Sequence, residues 1–287
     1  MADGAPDWFV RALATVPEHR SVEVAGARIH YRAWGPRDAP GVVLVHGGAA
    51  HAGWWDHIAP QLSGQRVVAL DLSGHGDSDH REAYDMRLWA QEIVEVSAAE
   101  DLGRPVVVGH SRGGWVTATA GAMHGAEIAG VALIDTPLWT MTPDEELLRR
   151  RRAPRRIYPT LAEALDRFVT LPAQDLVLPY VRTHIAEQSL GPVEGGWTWK
   201  FDPRSFGNRI AQRPVLEQLA VPTAVLYCEH GLVSAAMAAE MAGMIPGRPP
   251  LIRLADAGHH PMLDRPLELV GTLRAQLAAW AGAGIRT

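Results

Sequence analysis

The stretch VVVGHSRGGW, residues 106–115, decides how this chain is read. Its three valines form an unbroken apolar run, as expected of a strand buried on both faces of a parallel sheet. Gly109-His110-Ser111-Arg112-Gly113 follows at once, and a helical pattern begins just after Ser111. Glycines two before and two after a serine, between strand and helix, let the chain turn sharply and hold the hydroxyl above the sheet edge. The N–H of Arg112 then lies at a helix N-terminus, where it can donate to a developing oxyanion. The bare pentapeptide is common, and its bland reading is a tight structural turn. The strand–turn–helix setting favours an activated serine.

Outward from this stretch, short β-branched runs alternate with amphipathic ones. SVEVAG and ARIHYRAW (21–34) read as an opening hairpin. GVVLVH (41–46), RVVALD (66–71), RPVVVG (104–109), GVALID (130–135), PTAVLY (222–227) and PLIRLA (250–255) bring the count to about eight strands. Helical spacing runs from about Met86 to Ala99 through Trp89, Ile93 and Val96, and from about Pro266 to Trp280 through Leu269, Leu273 and Leu277. The expected fold class is α/β, an eight-stranded mostly parallel sheet flanked by helices. The alternation breaks between Thr136 and Arg213, where no clear strand is read. That segment is expected to be a helical cap (136–213) on a core of 1–135 and 214–287. Arg149 to Arg152, with Arg155 and Arg156, reads as a solvated helix face beside Glu145 and Glu146; the other reading is an anion or partner patch.

The 287 residues suffice for one large α/β domain, and 47% apolar residues suit a sizeable core. A net charge of −5 gives no electrostatic reason to expect nucleic acid or an anionic membrane as partner. The single cysteine, Cys228, excludes an internal disulfide and reads as a buried thiol. No leader is read in MADGAPDWFVRALA, and no apolar run nears the ~18 residues of a membrane span. The expected location is the cytoplasm, and high Ala and Arg content is associated with a bacterial source. A small molecule is the expected partner, with a homodimer left open.

Two further stretches agree with the serine. HGGAAHAGWW (46–55) ends the third strand, and its turn can aim the N–H of Gly48, or less readily Ala49, at the same oxyanion. LDLSGHGDSD (70–79) ends the fourth. Asp71 and His75 there raise a metal site as a thought, but the glycines suit a tight structural loop and no second ligand cluster appears. His51 and His57 read as surface or packing residues.

With HGG, DLSGHGDS, GHSRGG and DAGHHPMLDRP (256–266) in hand, the chain from about Val22 to Trp280 resembles the α/β-hydrolase superfamily, with a cap inserted after the sixth strand. The resemblance implies that the catalytic base is the histidine right after the glycine, His259, with His260 as alternative. A serine nucleophile needs such a neutral imidazole, and the imidazole needs a carboxylate to hold its tautomer. In most relatives that carboxylate follows the seventh strand. Here the stretch reads Cys228-Glu229-His230-Gly231, and Gly231 stands at the usual place. The sixth strand ends in Asp135. Some haloalkane dehalogenases of the same superfamily resemble this arrangement, although they use an aspartate nucleophile. The expected triad is Ser111–Asp135–His259. Glu229 is the alternative acid, and the bland reading of Asp135 is a cap for the next turn.

These residues point to a serine hydrolase cleaving a carboxylic ester or lactone through an acyl-enzyme, with no cofactor and no metal. Trp54, Trp115, Trp139 and Trp197 are candidate pocket residues, which favours an apolar or aromatic substrate. The alternatives are other chemistry on the same triad (C–C bond hydrolysis, a lyase or cyclase step, perhydrolysis) and a non-catalytic ligand-binding member.

Overall fold

The computed structural model describes residues 4–139, 149, 152–174 and 176–285. One sheet contains β1 (Glu18–Val24), β2 (Ala27–Trp34), β3 (Gly41–Val45), β4 (Arg66–Leu70), β5 (Val106–His110), β6 (Gly130–Ile134), β9 (Thr223–His230) and β10 (Leu251–Gly258). Their spatial order is β1-β2-β4-β3-β5-β6-β9-β10. β2 pairs antiparallel with both β1 and β4, and every later pairing is parallel. These are the eight strands anticipated from sequence. The strand order reverses around β3, so the carboxyl ends of β3 and β5 flank the crevice where such sheets bind ligands.

The central strands β3, β5 and β6 carry almost wholly apolar side chains because both their faces are covered. Val42, Leu44, Val106 and Val108 pack into one core, while Val43, Val45 and Val107 point to the other. That alternation is the period-two geometry of a strand. Each such side chain taken out of water contributes about 1.5–3 kcal/mol. The helix α2 (Met86–Ala99), capped by the Asp85 carboxylate on the Arg87 N–H, and α3 (Arg112–Met123) cover one face. The C-terminal helix Pro266–Gly282 covers the other, together with α1 (Asp7–Ala14), a helix not assigned from the sequence. Cys228 is buried, and burial pushes its thiol pKa up. Among the described residues no helix is long and apolar enough to cross a membrane.

Between β6 and β9 the chain forms the short helix Leu161–Leu165, the helix Pro179–Gln188 and, against the expectation of no strand, a hairpin. β7 (Leu190–Val193) pairs antiparallel with β8 (Gly196–Trp199), and Val193 faces Gly196 across a two-residue loop. Gly195 takes φ +83° there, which explains the glycine pair in that stretch. The inserted segment is therefore mixed rather than helical. Glu145, Glu146, Arg150 and Arg151, part of the charged run noted in the sequence, lie outside the described residues.

Candidate active site

Three loops at the carboxyl ends of β5, β6 and β10 meet over the sheet. Ser111 directly follows β5 and takes φ +53°, ψ −119°, a strained conformation for a residue with a side chain. Its neighbours show why the turn needs glycine. A Cβ on Gly109 would strike the Thr117 hydroxyl and the Gly113 carbonyl, and one on Gly113 would strike the carbonyls of Val45 and His46. The elbow is wedged between β3 and α3, and only bare backbone fits.

His259 follows β10. Its Nε2 lies 3.0 Å from Ser111 Oγ, and its Nδ1 lies 2.6 Å from Asp135 Oδ2. With the proton on Nδ1, donated to the carboxylate, the lone pair of Nε2 faces the serine hydroxyl. Asp135 follows β6 at φ +39° and is fully buried. The Leu232 N–H also donates to its Oδ2 at 2.8 Å, and the N–H groups of Cys228 and Val233 donate to Oδ1 at 3.1 and 3.3 Å. Three amides and an imidazole thus fix both oxygens of this carboxylate in one orientation.

Gly231 is the counterpart of this acid. A Cβ there would collide with both oxygens of Asp135. Gly231 is not among the positive-φ glycines, so close approach rather than backbone freedom requires it. Glu229, the alternative acid, is exposed and engaged elsewhere. It pairs with Arg253 at 2.5 Å and accepts the Asp256 N–H at 2.9 Å. The Arg253 bond, then the Asp256 amide, hold its pKa down to about 2.

The other histidines have distinct places. His110 Nε2 donates to the His259 carbonyl at 2.7 Å, tying the elbow to the base loop, and burial keeps this ring neutral by holding its pKa well below the ordinary value. His260, the alternative base, lies tilted against Trp54 with ring centres 5.3 Å apart, and burial lowers its pKa to about 3. The geometry puts His259, not His260, against Ser111. His46 accepts the Leu72 N–H through Nε2 and so links the β3 and β4 turns. Asp71 accepts the Ala52 and Asp77 amides and bonds His30, which makes its loop structural, as read from sequence. His51 and His57 are buried packing residues.

A cavity of about 300 Å³ opens onto Ser111 and is also lined by Gly48, Arg112, Trp54 and Trp139. Gly48 and Arg112, the two expected oxyanion donors, thus face the same space as the nucleophile. Ala49 instead lines an adjoining cavity of about 130 Å³ that shares Gly48, Trp54, Leu171 and His260. Trp54 and Trp139 are wall residues, as anticipated. Trp115 is not: it is fully buried in the core, and its Nε1–H donates to the Pro137 carbonyl at 2.9 Å. Trp197 belongs to the β7–β8 hairpin and packs around Tyr158 and Leu190, and Trp199 lines the smaller cavity in its place.

Two contributors escaped the sequence reading. Gln174, in the inserted segment, accepts the His260 N–H at 2.9 Å and donates to Asp264 at 2.8 Å, bracing the base loop from above. Only Gly258 hints at it, because a Cβ there would meet the Gln174 side chain. The second is the Arg112 side chain, which turns under Gly48 toward Ser205 and His75. Nothing in its motif predicts that direction.

Comparison with known proteins agrees with this geometry. The family described as "Alpha/beta hydrolase family" matches residues 42–272. The chain is 28% identical over 273 residues to the esterase Rv0045c of Mycobacterium tuberculosis, covering 91% of this chain and 90% of that one. It is 35% identical over 130 residues to the monoacylglycerol lipase of Mycolicibacterium smegmatis, covering 42% and 46% respectively. Among solved structures, the thioesterase domain from the curacin biosynthetic pathway superposes with a TM-score of 0.76 at 22% identity, over 90% of this chain and 99% of that one. That last likeness speaks for the fold alone.

Proposed function

The chain belongs to the alpha/beta hydrolase family, and from that premise we propose that this hydrolase is a serine enzyme cleaving a carboxylic ester or lactone of an apolar or aromatic small molecule. One observation carries the reading: the unbroken hydrogen-bonded line from Ser111 Oγ through the His259 ring to Asp135, at 3.0 and 2.6 Å. Ser111 attacks the carbonyl carbon while His259 Nε2 takes its proton. Asp135 holds the Nδ1 tautomer and stabilises the imidazolium that forms. The N–H groups of Gly48 and Arg112 receive the oxyanion. His259 then protonates the leaving alcohol, and water splits the acyl-enzyme by the reverse path. In this reading residues 136–213 act as a cap on a core of 1–135 and 214–287. Support for apolar substrates comes from Trp54, Trp139, Leu171 and Phe206 in the cavity wall.

The test is covalent labelling with a fluorophosphonate, followed by a panel of aryl esters and lactones. Wild type should label and turn over at least one class. Ser111→Ala should do neither while keeping its folded circular-dichroism spectrum. Absence of labelling in folded wild type, or turnover by Ser111→Ala, defeats the proposal and favours other chemistry or a binding role.

A further inference from the structure

The Arg112 side chain has no part in the chemistry just described, yet it carries a full charge beside it. The residue is only 6% exposed. Its Nη1 donates to the Ser205 carbonyl at 2.9 Å and its Nη2 to His75 Nε2 at 2.7 Å, while Nε has no hydrogen-bond partner. Arginine can only donate, so His75 is neutral with its proton on Nδ1, toward the Ser73 carbonyl. The rings of Trp89 and Phe206 lie 5.2 and 5.8 Å from the guanidinium carbon. All of these partners are uncharged. Burial is the one influence on the guanidinium, and it draws the pKa down to about 10.

A buried charge without a counter-ion is expensive, because taking it out of water is not repaid by an attraction. Bridging to the Ser205 carbonyl explains a donor at this position but not a permanent cation. The surroundings suggest what repays it. Among the described residues, the cavity that Ser111 faces is lined by Arg112, Asn208 and Arg209 and by no aspartate or glutamate. Arg209 sits 5.7 Å over the Trp139 ring on the same wall. Gly48 leaves the guanidinium next to the cavity lining: a Cβ there would stand 3.5 Å from its central carbon, in contact with it.

We propose that the substrate carries a carboxylate, and that Arg112, with Arg209 beside Trp139, draws it into the cavity beside Ser111. The planar fork of a guanidinium matches the two oxygens of a carboxylate, and their attraction is strong where water is excluded. This rests on the serine-hydrolase reading and narrows it to esters that bear an acid group on either half.

Two matched pairs test it: mono-para-nitrophenyl adipate against para-nitrophenyl heptanoate, and para-acetoxybenzoate against its methyl ester. In wild type the acid member of at least one pair should have the higher kcat/KM, by about tenfold or more. In Arg112→Met that preference should fall by about 10- to 100-fold, and in Arg209→Met by less. Arg112 also holds Ser205, so both members of a pair are expected to slow in Arg112→Met, and their ratio removes that common loss. If Arg112→Met does not fold, Arg112→Lys and Arg209→Met give the same ratio. Adipate should bind Ser111→Ala by calorimetry and should bind more weakly once Arg209→Met is added. If both neutral esters are preferred and adipate does not bind, the proposal is overturned. Fluorophosphonate labelling of the same preparation reports separately on the serine-hydrolase reading.

Discussion

β6 ends just before Asp135, and β9, the next strand of the sheet, ends just before Gly231. Either tip can reach the same histidine loop, yet the chain uses only one. The two positions fit like a cast and its mould: the carboxylate at 135 fills the space that a side chain at 231 would need. The amides of Cys228, Leu232 and Val233 then turn toward that carboxylate. The glycine is thus not a vacancy left by a lost acid. It is the surface against which the acid at the neighbouring strand is held, and nearby N–H groups fix both of that acid's oxygens.

The harshest way to break this comparison is to remove the acid. Asp135→Asn should cost roughly 10³–10⁴ in kcat on any turned-over ester, since a wrong or mobile tautomer disables the base. A folded Asp135→Asn within tenfold of wild type would mean the carboxylate is only a structural cap. Next comes the mould. Gly231→Ala forces a methyl into the carboxylate, so kcat should fall by about 10²-fold through a displaced imidazole, with a loss of about 1–3 kcal/mol in urea unfolding.

A pH–rate profile sharpens the comparison from the side of the imidazole. Asp135 faces His259, and the two histidines around it cannot share its titration. His260 is neutral above about pH 3, and His110 is held well below the ordinary range by burial. The acid limb of kcat/KM should therefore fall tenfold per pH unit, not a hundredfold, with one proton taken up. The same depression acts on stability. These rings, with His46 and His57 at about 4 and His51 at about 3, stay neutral when folded but take protons near pH 6.5 when unfolded. The unfolded state binds more protons, so stability is present above about pH 6.5 and is lost progressively as pH falls toward 4. Urea midpoints unchanged between pH 7 and pH 5 would contradict that burial.

The exchange of roles between the tips is a smaller effect. Asp135→Ala combined with Gly231→Asp should recover roughly tenfold of the rate lost in Asp135→Ala alone, because a Cβ at 231 points at the space just emptied. The least effect belongs to Glu229→Gln. Its carboxylate pairs with Arg253 at the surface, and exposed pairs contribute little, so kcat should change by less than about threefold.

Much of this was legible because it is written in backbone chemistry. The apolar runs mark strands buried on both sides, and the glycines around Ser111 mark a turn that admits no side chain. Asp135 was readable by contrast, as the carboxylate at a strand tip when the next tip holds glycine. What escaped depends on where side chains go after leaving the backbone. Trp115 and Trp54 sit equally close to motifs, yet one is buried in the core and the other lines the cavity. Gln174 braces the base loop from about 85 residues away, a distance no local pattern spans. The β7–β8 hairpin escaped for another reason: its strands are four residues each, too short for alternation to stand out.

The bond from His110 to the His259 carbonyl has a consequence for turnover. The nucleophile loop and the base loop are joined at two points, once through the imidazole and the serine hydroxyl and once through this main-chain contact. Attack on a carbonyl breaks the first join, because the serine oxygen becomes part of the acyl group. Asp135 still holds the ring, but with no other join the base loop would be free to shift against the elbow. The second join persists throughout, like the hinge pin that stays seated while a latch is open, and it keeps the same nitrogen aimed at the departing oxygen and then at the incoming water.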